Sequence, residues 1–294
     1  MHYRPRPRRA EALAGLLAGA TVWGLIWYPY RVLDAAGLPG VRASVLTYVV
    51  ATTLGVILFA GRRLCERPSW WLAAVGLAAG ACNIGYVLGM LHGEVMRVLL
   101  LFYLAPLWTL LLAWLLLRER AGRGGALILL LSLAGAGTML WQPNLGRPWP
   151  ANPAEWAGLA AGFFFALTNV LVRRTPQHSI EMKSLVVFAS TMLLGIVAMA
   201  WERPPAPGAL AALDAGHWWL ILVVGVVLVA INLAVQFGLM HVPANLAIVI
   251  FMSELAVAAL SAWLLAGEVM GPKEWLGGLM IVAATVLSAR VAPG

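Results

Sequence analysis

Long apolar runs, broken at short intervals by charged or proline-rich segments, set the pattern of this chain. A helix that crosses a bilayer needs roughly 20 mainly apolar residues. Ten runs approach that length, near 11–33, 41–60, 69–91, 95–117, 124–141, 154–172, 182–201, 217–240, 243–266 and 275–290. Backbone groups in lipid must bond within their own segment, and none of the runs shows the alternation of a barrel strand. The pattern therefore predicts an all-α integral membrane protein with ten transmembrane helices.

The chain also repeats itself. Asn83-Ile84-Gly85-Tyr86-Val87-Leu88-Gly89-Met90-Leu91-His92 is echoed by Asn232-Leu233-Ala234-Val235-Gln236-Phe237-Gly238-Leu239-Met240-His241 at an offset of 149. Phe102 pairs with Phe251, Ala113-Trp114-Leu115-Leu116 with Ala262-Trp263-Leu264-Leu265, and Glu119 with Glu268. At an offset of 143, Gly15 and Gly19 pair with Gly158 and Gly162. The division expected is a basic tail (1–10), a first five-helix repeat (11–141), a linker rich in proline and asparagine (142–153) and a second five-helix repeat (154–291).

Charge gives the orientation. With the amino terminus inside, fourteen Lys and Arg residues fall inside and six outside, so both termini are expected in the cytoplasm. Five spans per copy is an odd number, so the second copy enters from the opposite face. The two repeats are inverted, an arrangement suited to alternating access.

Composition fits lipid as the solvent. The chain of 294 residues is 62% hydrophobic and 11% charged, with mean hydropathy +0.87. So few charges would not cover so much apolar surface in water. The net charge of +8 comes from residues between apolar runs rather than from one basic face, so nucleic acid is not an expected partner. The start Arg4-Pro5-Arg6-Pro7-Arg8-Arg9 leads into a full-length span without an evident cleavage site, and no removable leader is expected. Cys65 falls in a polar loop and Cys82 in a span, so neither a disulfide nor a metal cluster is expected. Trp70, Trp71, Trp141, Trp149, Trp156, Trp201, Trp218, Trp219 and Trp275 sit at span ends, where indole anchors to the interface.

Chemistry-bearing residues are few. No phosphate-binding loop, nucleophile elbow or paired-histidine metal motif is present, so transport would be secondary or facilitated, without a cofactor or catalytic residue. Glu254 falls mid-span, where an ionisable group is costly and is a functional candidate by default. It reads either as a coupling or amine-binding group, or as an acid bonded to a neighbouring helix. Asn83 shares a helix face with Tyr86, and Asn232 with Gln236. These amides either glue helices together or line a central cavity where the pseudo-twofold axis brings both faces together. Trp23, Tyr103 and Trp108 supply aromatic walls for such a cavity, or pack as ordinary core. Rings beside amides and one acid suit a zwitterion with an apolar side chain. The Gly-x-x-x-Gly pairs read as packing seams, Pro29 and Pro106 as kinks, and Glu119 and Glu268 as caps of the helices that follow them.

The stretch Leu101-Phe102-Tyr103-Leu104-Ala105-Pro106-Leu107-Trp108-Thr109, running to Arg118-Glu119-Arg120, resembles the EamA domain of the drug/metabolite transporter superfamily. So do its echo from Ser253-Glu254-Leu255 to Gly267-Glu268, and Trp23-Gly24 in the first span. The family commonly carries Glu-Pro in span nine, where this chain has Glu254-Leu255; the matching pair in span four is Ala105-Pro106. The Phe102-Tyr103-Leu104-x-Pro106 run is similar to the aromatic amino-acid exporter branch, the YddG-like one. That resemblance implies export of aromatic and other neutral amino acids across a bacterial inner membrane. The partners implied are an amino-acid substrate and the lipid bilayer. Oligomeric state stays open, a monomer being the simplest case. A rival in the same class exports drugs or other metabolites. A rival in another class, an intramembrane enzyme, would need paired acid and base groups at one depth, and the lone Glu254 argues against it.

Overall fold

The structure, a computed structural model, describes residues 9–59, 69–93, 95–120, 122–141, 149–200, 210, 213–267 and 270–290. The expectations for residues 1–8, Cys65, residues 142–148, Trp201 and Glu268 lie outside them. The regular structure among the described residues is helical: α1 (Arg9–Leu25), α2 (Trp27–Ala35), α3 (Gly40–Phe59), α4 (Trp70–His92), α5 (Val95–Phe102), α6 (Ala105–Leu112), a π-helical turn (Ala113–Leu117), α7 (Arg123–Leu140), α8 (Pro153–Arg174), α9 (Ile180–Met199), α10 (Ala215–His241), α11 (Ala244–Ala266) and α12 (Pro272–Arg290). Taking α1 with α2, and α5 with α6 and the π-turn, nine helical segments among the described residues are long and apolar enough to cross a membrane. The tenth, α12, has 19 residues and opens on Lys273 and Glu274, which dilute its apolar stretch.

Both proline kinks are interruptions of a span. Pro29 has no N–H for the Leu25 carbonyl, and the chain breaks between α1 and α2 at Ile26. Pro106 likewise leaves the Phe102 carbonyl without its helical donor, and α5 and α6 part at Tyr103-Leu104. The echo of that span, α11, has Leu255 instead of proline and runs unbroken.

The two copies exchange their first helices. In the first copy, α1 packs against α10 and α11 of the second; in return, α8 packs against α4, α5 and α6. The glycine pairs make this crossing close. A Cβ at Gly15 would stand 2.6 Å from the Ala234 carbonyl oxygen, and one at its mate Gly158 3.0 Å from the Val98 carbonyl oxygen. Larger residues would push these helices apart. Along the remaining seams α3 packs on α9, and α7 on α12.

Helix starts are capped as their sequences suggest. The Asn152 Oδ1 accepts from the Glu155 N–H at 2.9 Å, and the Asp214 Oδ1 from the His217 N–H at 3.0 Å. That backbone N–H is the main reason the Asp214 carboxyl lies below its ordinary value, with the His217 ring, 2.7 Å away, contributing when protonated. Trp70, Trp141, Trp149, Trp156, Trp218, Trp219 and Trp275 are exposed near helix ends. The mates Trp114 and Trp263 are exposed as well, and look outward from the helix bundle.

Candidate functional site

The site grows from one continuous set of rings. Tyr86 on α4 meets Phe102 at 5.1 Å between centroids, and Phe102 meets Tyr103 at 5.4 Å and Phe165 at 5.6 Å. Phe165, on α8, meets Phe251 of α11 at 5.5 Å, and Phe251 meets Trp23 of α1 at 5.3 Å. Both repeats contribute, and the mates Phe102 and Phe251 each contact Phe165, which lies between them. Beside these rings lies a void lined by Phe102, Tyr103, Ala105, Pro106, Phe165, Ile248, Phe251, Met252 and Glu254. Its volume is about 10 Å³, room for about one water molecule. Around Glu254 the helices are packed down to this small void.

Glu254 is the one acid on this void, and no hydrogen bond or ion pair among the described residues holds its carboxylate. It faces the break between α5 and α6, where its own repeat mate Ala105 lies on the same void. Tyr103 lines the same void, and Tyr86 and Cys82 pack against the cluster that holds Phe102 and Tyr103. An acid without a protein partner, two phenols and a set of π-faces can take a cationic or hydrogen-bond-donating group with an apolar body attached.

Of the expected site residues, Trp23, Tyr86, Tyr103 and Glu254 come together here. The amides do not. The Asn83 Oδ1 accepts from the Ser44 hydroxyl of α3 at 2.9 Å, while the Asn232 Oδ1 accepts from the Gln236 Nε2 at 3.3 Å. No hydrogen bond joins Asn83 to Asn232 or Gln236. The packing accounts for this: α4 seats mainly on α8 and α9 and α10 mainly on α1 and α3, and the Asn83 amide is taken up by α3 while that of Asn232 is held within its own helix. Trp108 also stands apart, edge-on to Phe163 at 5.5 Å with its Nε1 buried and unpartnered, among Leu112, Ala113, Ala166 and Val170.

Phe102, Phe165 and Phe251 were not among the expected site residues. The echo of Phe102 in Phe251 was a usable signal, because residues near a pseudo-twofold axis recur in both copies. Phe165, in the run Phe163-Phe164-Phe165, carries no such mark.

Glu119 does cap a helix, but not the one that follows it. Its Oε2 accepts from the Ala244 N–H at the start of α11, at 3.1 Å, and its Oε1 accepts from the Arg173 Nε at the end of α8. The π-turn and the left-handed Arg118 (φ 58°) re-aim the chain toward α11 instead of α7. At the opposite end of α8, the Arg97 guanidinium meets the Glu155 carboxylate at 2.8 Å. Span four and α8 are thus tied by an ion pair at each end.

Known proteins share this fold and family. A solved crystal structure superposes with a TM-score of 0.77 over 97% of this chain and 100% of that one, at 17% identity, which speaks to the fold alone. The "Uncharacterized transporter PA0485" of Pseudomonas aeruginosa is 26% identical over 207 residues, 65% of this chain and 64% of that protein, so the match spans somewhat less than two thirds of that relative. The "Protein RarD" of Streptomyces exfoliatus is 26% identical over 293 residues, covering 94% of this chain and 88% of that protein. The model of the EamA-like transporter family matches residues 11–141 and again 152–290, nearly the whole chain in two copies. Two family units, crossed through their first helices around a ring-lined acid, make this chain a multi-pass membrane protein that belongs to the EamA-like transporter family.

Proposed function

We propose that this protein exports amino acids, aromatic and other neutral ones, across a bacterial inner membrane by alternating access, as a secondary or facilitated transporter with both termini in the cytoplasm. The observation that carries the reading is the unpaired Glu254 carboxylate on a void walled by Phe102, Tyr103, Phe165 and Phe251, between the two repeats. An ammonium group finds its counter-charge in Glu254, and an aromatic or aliphatic side chain finds the rings. The position of Glu254 also suits proton coupling, since a carboxylate facing a closed, apolar void is costly unless neutralised. Asn83, Asn232, Gln236 and Trp108 belong to the proposal as groups that reach substrate when the path opens. The site takes a small molecule and calls for no cofactor.

The test is counterflow in proteoliposomes. Vesicles loaded with unlabelled phenylalanine should accumulate labelled phenylalanine, and unlabelled tyrosine, tryptophan and neutral aliphatic amino acids should compete. Exchange with none of these, but with other metabolites or drugs from the same panel, would replace the amino-acid reading by that of a metabolite or drug exporter.

A further inference from the structure

The helices that line the central void continue past it to the Glu119–Arg173 pair, and each carries a buried polar atom on the way. On α6, Thr109 lies one turn beyond the void-lining Ala105 and is fully buried; its Oγ1 makes no hydrogen bond. On α8, Asn169 lies one turn beyond Phe165 and one turn before Arg173; it is 3% exposed, and its Nδ2 makes none. On α11, Asn245 lies one turn from Ile248, next to the Ala244 N–H that Glu119 holds; it is 7% exposed, and its Oδ1 makes none. These three helices pack on one another, and the residues around the three polar groups, Leu112, Ala113, Ala166, Val170 and Ala244, form one cluster.

Buried polar atoms without partners are costly, and of those among the described residues the Thr109, Asn169 and Asn245 atoms, with the Trp108 Nε1 of the same cluster, gather at this end of three helices that pack on one another. A surface groove of about 460 Å³ runs along the outward face of span four, lined by Leu107, Leu110, Leu111 and Trp114, and ends at Glu119 and Arg120. The Glu119–Arg173 pair stands at the end of the polar row, where Asn169 lies one turn before Arg173 and Asn245 lies next to the Ala244 N–H that Glu119 holds. The same pair joins the end of span four to α8 and α11, and the Arg173 Nη1 donates to the Met240 carbonyl at 3.4 Å, which adds the end of α10. We propose that Thr109, Asn169 and Asn245 line the closed half of the transport path between the central void and this end of the molecule, and that the Glu119–Arg173 pair is the latch that closes it. When the latch parts, α11 and α8 separate at this end. Water and the polar end of the substrate then reach the three groups that lack partners in the closed form.

The inference rests on the transport reading but not on which molecule is moved, so its test uses no substrate. Asn169→Cys is placed in the full chain in nanodiscs, and its reaction with a cationic methanethiosulfonate is followed at that residue by peptide mass spectrometry, leaving the native cysteines in place. Asn169→Cys combined with Arg173→Gln should react at least ten-fold faster than Asn169→Cys alone, while Glu155→Gln, which breaks the pair at the other end, should leave the rate at residue 169 unchanged. Equal rates with the latch intact and broken would overturn the proposal, and so would equal acceleration by Glu155→Gln, which marks general loosening. Should Arg173→Gln fail to fold, Glu119→Gln keeps an acceptor for the Ala244 N–H and carries the same two outcomes. Failure of amino-acid counterflow together with latch-dependent labelling would remove the amino-acid reading and leave the latch standing.

Discussion

Gly24 lies against the backbone of Glu254: a Cβ at Gly24 would stand 2.7 Å from the Glu254 carbonyl oxygen and 2.8 Å from the Val257 Cβ. The missing side chain lets α1 press on α11 at the level of the acid, with Trp23 from the preceding position packed on Phe251. The Ser261 hydroxyl accepts from the Trp27 Nε1 at 2.9 Å, fastening α2 to the same helix, and its own proton lies between the Ala258 carbonyl at 2.9 Å and the Gly24 carbonyl at 3.2 Å. The break at Ile26 thus falls inside a tightly held contact.

Gly24→Ala should therefore overpack this seam and destabilise the protein by about 1–3 kcal/mol, read as a lower unfolding midpoint in detergent. Gly137→Ala is the matched control, because nothing lies within 4 Å of where its Cβ would sit. An added methyl there, mid-helix in α7, should be neutral or stabilising by up to about 1 kcal/mol. Equal midpoints for Gly24→Ala and wild type would mean that the α1–α11 contact is looser than this geometry.

Removing rings from the void should separate binding from folding. Tyr86→Ala and Tyr103→Ala should each lower counterflow at least several-fold while the proteins stay monodisperse and helical. Tyr103, 7% exposed and on the void, should lose more than Tyr86, whose contact is with Phe102 one layer out. For Glu254→Gln, uptake should lose its response to an imposed pH gradient while the fold is kept, because the amide has the same shape and no proton to exchange. A wild type that ignores the gradient would make transport facilitated diffusion and remove the coupling role.

The sequence carried the architecture further than the site. Periodic apolar runs, an echo at a fixed offset and charge asymmetry are properties of single segments, so the helical class, the duplication and the glycine seams could be read directly. Partner choice between helices is not such a property. Asn83 and Asn232 are mates in their own helices, yet their neighbours are set by which glycines seat α4 on α9 and α10 on α3, as Gly76 and Gly225 do. Glu119 was readable as a cap, but its target, Ala244, is 125 residues away. Glu254 was legible because a lone charge in lipid needs a reason wherever it points. Phe165 was not, because a phenylalanine in a membrane helix needs none.

The two ion pairs that tie span four to α8 should differ in strength. The Arg97–Glu155 side chains are 15% and 4% exposed, and Glu155 also accepts from the Ala151 N–H and the Asn152 Nδ2 at 2.8 Å each. Arg97→Ala leaves that carboxylate without its counter-charge, with two hydrogen bonds remaining, and should cost about 1–3 kcal/mol. The Glu119–Arg173 side chains are 24% and 23% exposed, so water screens them more and breaking that pair should cost less. Unfolding midpoints of Arg97→Ala and Arg173→Ala, compared at one pH and salt concentration, test the order. The reverse order would place the firm clamp at the Glu119 end.

Arg118 and Gly267 are repeat mates at an offset of 149, and both end their helices in the left-handed region, at φ 58° and 67°. Glycine takes this conformation without steric cost, whereas a residue with a Cβ is strained there by about 1–2 kcal/mol. The second copy thus uses the residue its backbone asks for, and the first copy does not. Arg118 follows the π-helical turn that aims Glu119 at Ala244 and Arg173, so the strain sits where the chain is re-aimed. Arg118→Gly should relieve the strain and leave stability unchanged or raised by up to about 1 kcal/mol, the gain being offset by the greater freedom of glycine in the unfolded chain. Gly267→Ala should do the opposite and cost about 1 kcal/mol. Unfolding midpoints of the two variants, measured with the unchanged chain, decide the matter. A clear loss of stability in Arg118→Gly would show that the arginine side chain contributes more than its backbone costs.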